Sequence, residues 1–354
     1  MRTISIKYDL ESSTSFKKSS LTMKPSCCLV AALLISALPA SCAFMAAQTT
    51  TQEQPPQIRV MVDRVNVGAI VTASDGHFVE SLHREDFRVF DNGMEQSITD
   101  FLPVTEPAQV LFFIESGPAV VLLGKEHFYA ADKLVNSLAR DDRVAIASYS
   151  NEPELLLDFT ADKPAARLAL ENLNFTLGFA QLNLSSSLAS AINWLDTLRG
   201  KKTIVVFSTG VDTSPVWKWP AIQQKLEISN VRILAVSLSG DFRKPIKRQP
   251  IKHKVLSGDE KEDREFLKKF LPAADQSLRE LTRITGGRAY FPKNQKDFDR
   301  AYAEIAQLIR HEYSLAFTPP EHDGQVHTIT VKVKGSNRRV DHRQAYFAPG
   351  PAGS

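Results

Sequence analysis

The side chains in this sequence best suited to proton transfer or metal binding near neutral pH are its eight histidines, at positions 77, 83, 127, 253, 311, 322, 327 and 342. No spacing among them places two on one ion. Most fall in predicted loops or on predicted exposed faces, and they read as surface residues. Catalytic signatures of fixed spacing are missing too: the chain has no Gly-x-Ser-x-Gly elbow, no phosphate loop ending in Gly-Lys-Ser/Thr and no His-Glu-x-x-His. A triad assembled from distant segments leaves no spacing to read, because its members need meet only in space. Hydrolysis at an unrecognised site therefore stays as a remote reading. The expectation is a protein without an enzymatic activity and without a cofactor, one that binds rather than reacts.

Composition narrows the class of partner. The 354 residues are 43% hydrophobic and 23% charged, which suits a globular chain with more than one core, and the formal charge of +3 is too small to favour nucleic acid. All three cysteines, Cys27, Cys28 and Cys42, precede residue 43, so no disulfide framework holds the folded body. The same stretch carries Lys17, Lys18 and Lys24, then an apolar run over 28–38, then small residues over 40–47. That order predicts an export signal over 1–47, followed by a polar linker over 48–57. The apolar run is short for a membrane span. Cleavage after Ala43 or Ala47 releases the protein outside the cytoplasm, in the periplasm, envelope or medium; lipidation at Cys42 is the alternative and the one route to a membrane. Translation from Met23 would give a more typical leader than translation from Met1. The glycosylation motifs at Asn174 and Asn183 are short enough to arise by chance.

Periodicity then supplies the elements. Over 58–104 the pattern is β: Ile58, Val60 and Val62 alternate, Val65, Val67, Ala69 and Val71 continue after a shift, and Asp91-Asn-Gly93 makes a turn between Phe87-Arg-Val-Phe90 and Ser97-Ile-Thr-Asp-Phe101. The grammar changes at Val110-Leu-Phe-Phe-Ile114, a continuous apolar run that suits a strand covered on both faces. Helical spacing over 127–139, 164–173, 184–198, 220–228, 276–284 and 297–310 then alternates with strands over 144–149, 155–159, 203–207, 231–236 and 289–291. Alternation of this kind predicts a doubly wound α/β domain over 106–311, with a mostly parallel sheet of Rossmann-like form. Period-two patterning returns over 312–349. Neither β segment buries enough alone, so 58–104 and 312–349 are expected to pair into one smaller β-sandwich, with the α/β domain inserted between them. The charged stretch between Phe242 and Pro272, basic over 243–254 and acidic over 259–265, reads as a solvated loop.

Several short motifs resemble a known family. Val79-x-x-Leu82 with Glu85-Asp-Phe87, Asp91-Asn-Gly-Met-Glu-Gln96, Phe207-Ser-Thr-Gly-Val-Asp-Thr213, Thr285-Gly-Gly-Arg288, Tyr313-Ser-Leu-Ala-Phe-Thr-Pro319 and Tyr346-Phe-Ala-Pro349 occur in the order and spacing of the bacterial von Willebrand factor A-related proteins common in acidobacteria. The resemblance covers nearly everything after the leader. It implies a six-stranded doubly wound sheet that recognises its partner at the carboxyl ends of its strands. In metal-binding members that edge carries an Asp-x-Ser-x-Ser loop, a threonine and a second aspartate, which hold magnesium.

Carried onto this sequence, the first aspartate falls on Ile114, the two serines on Ser116 and Pro118, the threonine on Leu182 and the last aspartate on Thr209. Only Ser116 survives. A hard divalent ion needs several oxygens and normally a carboxylate to offset its dehydration, so the usual metal site is expected to be degenerate, with no metal bound there. Glu115 and Asp212 stand near the lost ligands. They either rebuild a site or do bland work, Glu115 pointing away and Asp212 capping the next turn or helix. Trp217 and Trp219, beside the same edge, either anchor a partner or pack the next helix. The resulting expectation is an exported adhesion or protein-interaction module, with Glu115, Ser116, Pro118, Leu182, Thr209, Asp212, Trp217 and Trp219 as the partner-binding rim. A structural scaffold subunit of a cell-envelope assembly is the second reading. Partner and oligomeric state are not encoded in any motif.

Overall fold

The computed structural model describes residues 17–18, 64–117, 126–173, 181–213, 219–240 and 260–348. The predicted cysteine-bearing leader apart from Lys17–Lys18, the linker, Asn174, Pro118, Trp217 and the basic stretch 243–254 lie outside the described residues.

A mixed sheet of seven strands forms the centre, in the order β1 (Lys17–Lys18), β8 (Pro153–Thr160), β7 (Arg143–Tyr149), β6 (Ala108–Glu115), β9 (Lys201–Ser208), β10 (Arg232–Ser237) and β11 (Ala289–Tyr290). Only the β7–β8 pairing is antiparallel. The apolar runs read as doubly covered strands are so: each residue of β9 and β10 is buried. Alternate residues of β6 feed two different cores. Val110, Phe112 and Ile114 join Leu134, Val135, Leu170, Tyr302 and Ile305, whereas Leu111 and Phe113 join Leu188, Ile192, Ile222, Leu226 and Leu278. Helices α1 (Glu126–Ser137), α2 (Lys163–Glu171) and α6 (Gln295–Arg310) therefore cover one face; α3 (Leu184–Asp196), α4 (Trp219–Ile228) and α5 (Glu260–Ile284) cover the other.

Local chemistry sets the helix starts. Asp162 accepts the Ala165 N–H at 3.2 Å before α2, with Pro164 in the first turn, and Asn294 accepts the Asp297 N–H at 3.1 Å before α6. Asn183, one of the two glycosylation motifs, serves as the α3 cap and accepts from Ser186 N at 3.2 Å. One prediction fails here. The acidic half of the charged stretch is helical rather than a loop, since α5 begins at Glu260 and runs through Pro272. Glu265 and Lys269, four residues apart, have the favourable helical order, and burial of Leu271, Ala274, Leu278 and Leu281 holds the helix across the proline.

The flanking segments interleave. One four-stranded sheet runs β14 (Arg338–His342), β2 (Val65–Ala73), β12 (Glu312–Phe317), β5 (Ile98–Leu102); another runs β15 (Ala345–Phe347), β13 (Val326–Val333), β3 (Phe87–Asp91), β4 (Met94–Gln96). Every strand of the chain's last segment except β15, which pairs with β13, thus lies beside one from its first. Val67, Phe87, Val89, Tyr313, Leu315, Ile329 and Tyr346 share one apolar cluster across both sheets. The Asp91-Asn-Gly turn has positive φ at Asn92 (46°) and Gly93 (83°), as a tight hairpin turn requires. It joins β3 to β4 rather than to the 97–101 segment, which crosses to pair with β12. Tyr313 ties two of the recurrent motifs together: its hydroxyl donates to Val79 O at 2.7 Å and accepts the Leu82 N–H at 3.1 Å.

The Thr-Gly-Gly-Arg motif is a close approach of backbones. A Cβ on Gly287 would lie 1.8 Å from Ile233 O, and one on Gly286, at φ 70°, would lie 2.3 Å from His342 C. Neither neighbour is a movable side-chain tip. Gly287→Ala is therefore expected to separate β11 from β10 and to cost about 1–3 kcal/mol or more. Urea unfolding at an unchanged midpoint would show that the strand ends accommodate the methyl group.

Candidate functional site

The carboxyl ends of β6, β7 and β9 meet at Glu115, Tyr149, Ser208 and Thr209, all of them buried. Parallel pairing brings Glu115 level with Tyr149, and the Ile114–Phe207 register puts the end of β9 beside it. Glu115 Oε2 accepts the Thr209 N–H at 2.8 Å, the Ser208 hydroxyl at 2.9 Å and the Thr209 hydroxyl at 2.9 Å. The Tyr149 hydroxyl donates to Ser208 Oγ at 2.7 Å and lies 3.4 Å from the same carboxylate oxygen. Ser208 Oγ also accepts the Gly210 N–H at 2.8 Å, so its own proton is left for Glu115. Burial pushes the Glu115 carboxyl above its ordinary range, and the donors from Thr209 and Ser208 pull it back. Burial, reinforced by the Glu115 charge, pushes the Tyr149 hydroxyl well up.

The expectation that Glu115 points away from the site needs correcting. Ile114 faces the core beneath α1, α2 and α6, while Glu115 turns to the opposite side and meets Thr209. Since strand side chains alternate, the residue that stands against the β9 end is Glu115, one place along from the aligned position. Glu115 does not point away from the site.

The other rim residues close it. The Ser116 N–H and hydroxyl both bond Tyr149 O, at 2.8 and 3.0 Å. Leu182 is 6% exposed and packs with Val211 and Ala274. One of its methyl carbons would lie 2.6 Å from a Cβ built on Gly117, so it is an aliphatic plug against the end of β6. Asp212 does cap, but it caps an earlier helix than expected: Oδ2 accepts the Ser185 N–H at 3.1 Å and the Ser185 hydroxyl at 2.8 Å in the first turn of α3. Pro118 and Trp217 lie outside the described residues, and Trp219 opens α4.

Magnesium does not fit these residues. Among the described residues one carboxylate faces the site, one of its oxygens accepts three protein donors and the other faces the Thr209 hydroxyl, and the second carboxylate, Asp212, is engaged on a helix terminus. Sequence reasoning missed Tyr149 and Ser208; their signal was a polar residue ending each of two buried apolar runs. It also misplaced two histidines, because His311 and His327 are buried rather than on the surface.

Among proteins of known structure, the chain is similar to an aerotolerance-related membrane protein from Bacteroides fragilis, at 14% identity and a TM-score of 0.38 over 57% of this chain and 98% of that one. It is similar to a von Willebrand factor type A protein from Catenulispora acidiphila, at 11% identity and a TM-score of 0.43 over 75% and 74%. The PilB minor pilin from Streptococcus sanguinis follows at 10% and 0.39, over 58% and 62%. No curated protein matches the chain. The family model for the von Willebrand factor type A domain matches residues 128–211, from α1 to the turn after β9. Within the α/β part, the stretch from α1 to the turn after β9 is thus the portion that is similar to a von Willebrand factor type A domain.

Proposed function

We propose that the chain is an exported protein-interaction module of the von Willebrand factor A type, acting in adhesion or envelope assembly, whose strand-end edge binds a protein partner without a metal. The observation that supports this reading is the burial of Glu115: one carboxylate oxygen accepts three protein donors and the other is covered by the Thr209 hydroxyl at 3.0 Å, too little for an ion that needs several open oxygens. Recognition then falls to surface complementarity. Glu115, Ser116, Leu182 and Thr209 form the floor of the edge, while Pro118, Asp212, Trp217 and Trp219 follow β6 and β9 in the chain. Aromatic anchors in such segments are the residue types that dominate contact energies. The two flanking sheets form one sandwich that carries the α/β domain at a fixed angle, and the leader delivers the whole outside the cytoplasm. Among the described residues no helix is long and apolar enough to cross a membrane.

Capture of envelope proteins by the full chain, stripped of divalent ions and then with magnesium restored, tests the reading. The same partner is expected in both conditions, and Trp217→Ala with Trp219→Ala is expected to weaken its retention about tenfold or more. Capture that appears only with magnesium would sink the proposal. A partner that co-purifies at constant stoichiometry, whatever the tryptophans, would replace it by a scaffold role.

A further inference from the structure

A second set of ionisable side chains gathers in the β12–β13 connection, away from the strand-end edge. Glu321, Asp323 and His327 each offer one ligand atom, and these atoms lie within 4.8 Å of one another, the one such group among the described residues. The two carboxylates are exposed and the imidazole is buried.

The imidazole is held from behind by residues outside that set. Its Nδ1 lies 2.9 Å from Asp91 Oδ1, and Asp91 Oδ2 accepts the Tyr346 hydroxyl at 2.8 Å. Asp91 is buried and fixed opposite Ile329 by the β3–β13 pairing. The Tyr346 hydroxyl also lies 3.2 Å from Nδ1, but its one hydrogen goes to the nearer Asp91 Oδ2, which leaves Nδ1 to carry a hydrogen and donate it to Asp91 Oδ1. That tautomer leaves the lone pair on Nε2, and Nε2 faces Asp323 Oδ1 at 3.1 Å. Asp323 Oδ1 is itself held by the Gln325 N–H at 2.9 Å.

Two acceptors do not face each other at that distance unless positive charge lies between them. A second proton on the ring or a metal cation would supply it. The third group decides between them, because a proton is shared by two atoms whereas a cation gathers three or more. A carboxylate behind the far ring nitrogen is also the general arrangement by which proteins orient a metal-binding histidine and raise its basicity. Ligands about 2.0–2.2 Å from a tetrahedral ion lie about 3.3–3.6 Å apart, between the 3.1 Å of the His327–Asp323 pair and the 4.8 Å within which all three ligand atoms lie. One imidazole nitrogen with two carboxylate oxygens and positions open to solvent suits zinc or a similar first-row cation, rather than magnesium or calcium with their all-oxygen sets. We propose that Glu321, Asp323 and His327 form a solvent-facing binding site for a zinc-type divalent cation, with Asp91 and Tyr346 as positioning residues.

The test is zinc titration of the full chain by calorimetry at pH 7.5, with its three cysteines alkylated to remove competing thiols. Cobalt absorption gives the coordination signature. One ion per chain is expected. Affinity should fall at least tenfold in His327→Gln and in the double variant Glu321→Gln, Asp323→Asn, whose changes lie on exposed residues and leave the core intact. Asp91→Asn should weaken binding about 10- to 100-fold while keeping the cobalt spectrum of one nitrogen and oxygens. His322→Gln, on the same loop but outside the set, should bind as wild type. Stoichiometric binding that survives the Glu321, Asp323 double variant would overturn the proposal. So would no binding at pH 7.5 together with an NMR titration of His327, which would show that a proton alone fills the gap.

Discussion

Glu115→Ala is expected to lower the unfolding free energy by about 3–5 kcal/mol, far more than loss of a surface carboxylate. The side chain fills a fully buried volume, and its removal strands the Thr209 N–H and the Ser208 and Thr209 hydroxyls at once. Each abandoned buried donor costs about 1–3 kcal/mol, and the cavity adds to it. The pH dependence carries its own sign. Because burial raises the folded-state proton affinity of Glu115, its contribution is fully present below the unfolded-state value and declines as pH rises through the folded value. The gap between wild type and variant in urea unfolding should therefore be widest at the acid end of the native range and narrow toward neutrality. A gap that widens toward neutrality would mean that the donors outweigh burial; a gap near zero throughout would mean that Glu115 is not the keystone of this edge.

Much of this architecture was legible in the residues because burial on two faces writes itself as an unbroken apolar run. Val110 to Ile114 and Thr203 to Phe207 needed no partner information to be read as central strands, and α/β alternation around them fixed the class. The site was less legible, for a geometric reason. A motif comparison counts residues, but a strand alternates faces, so a comparison that stops at Ile114 does not reveal that the neighbouring Glu115 is the side chain facing Thr209. The helical start of α5 was hidden by its charge density and by Pro272, both of which resemble loop signals when the burial of Leu271 and Leu278 is not visible. The Asp91–His327 contact spans 236 positions, and no spacing rule reaches that far. What the residues could not carry, in each case, was a contact made only after the sheets had formed.

A buried ion pair joins the flanking sheets to the α/β part, and Glu312→Ala is expected to cost about 3–5 kcal/mol by leaving the Arg232 guanidinium without its counter-charge. Arg232 projects from β10 and Glu312 from the start of β12, with Nε and Oε2 2.8 Å apart and both side chains less than a tenth exposed. Arg232 also donates to Gly286 O in the Thr-Gly-Gly-Arg turn, so the charge is shared with the strand end that β11 depends on. Space for the pair comes from Gly68 in β2, where an added Cβ would fall 1.9 Å from Glu312 Oε1. Gly68→Ala should consequently displace the carboxylate and reproduce part of the Glu312→Ala loss. Replacing both partners by apolar residues, Arg232→Met with Glu312→Leu, removes the uncompensated charge along with the attraction, so the double variant should be more stable than the sum of the two single losses implies. Urea unfolding of the four proteins measures that coupling. Strict additivity would show that the two side chains do not sense each other, and the fixed angle between the sheets and the α/β part would then have to come from Lys201, which reaches Val104 O at 3.0 Å and Glu312 O at 3.3 Å, and from Arg343, whose buried guanidinium holds Ser229 O at 2.8 Å.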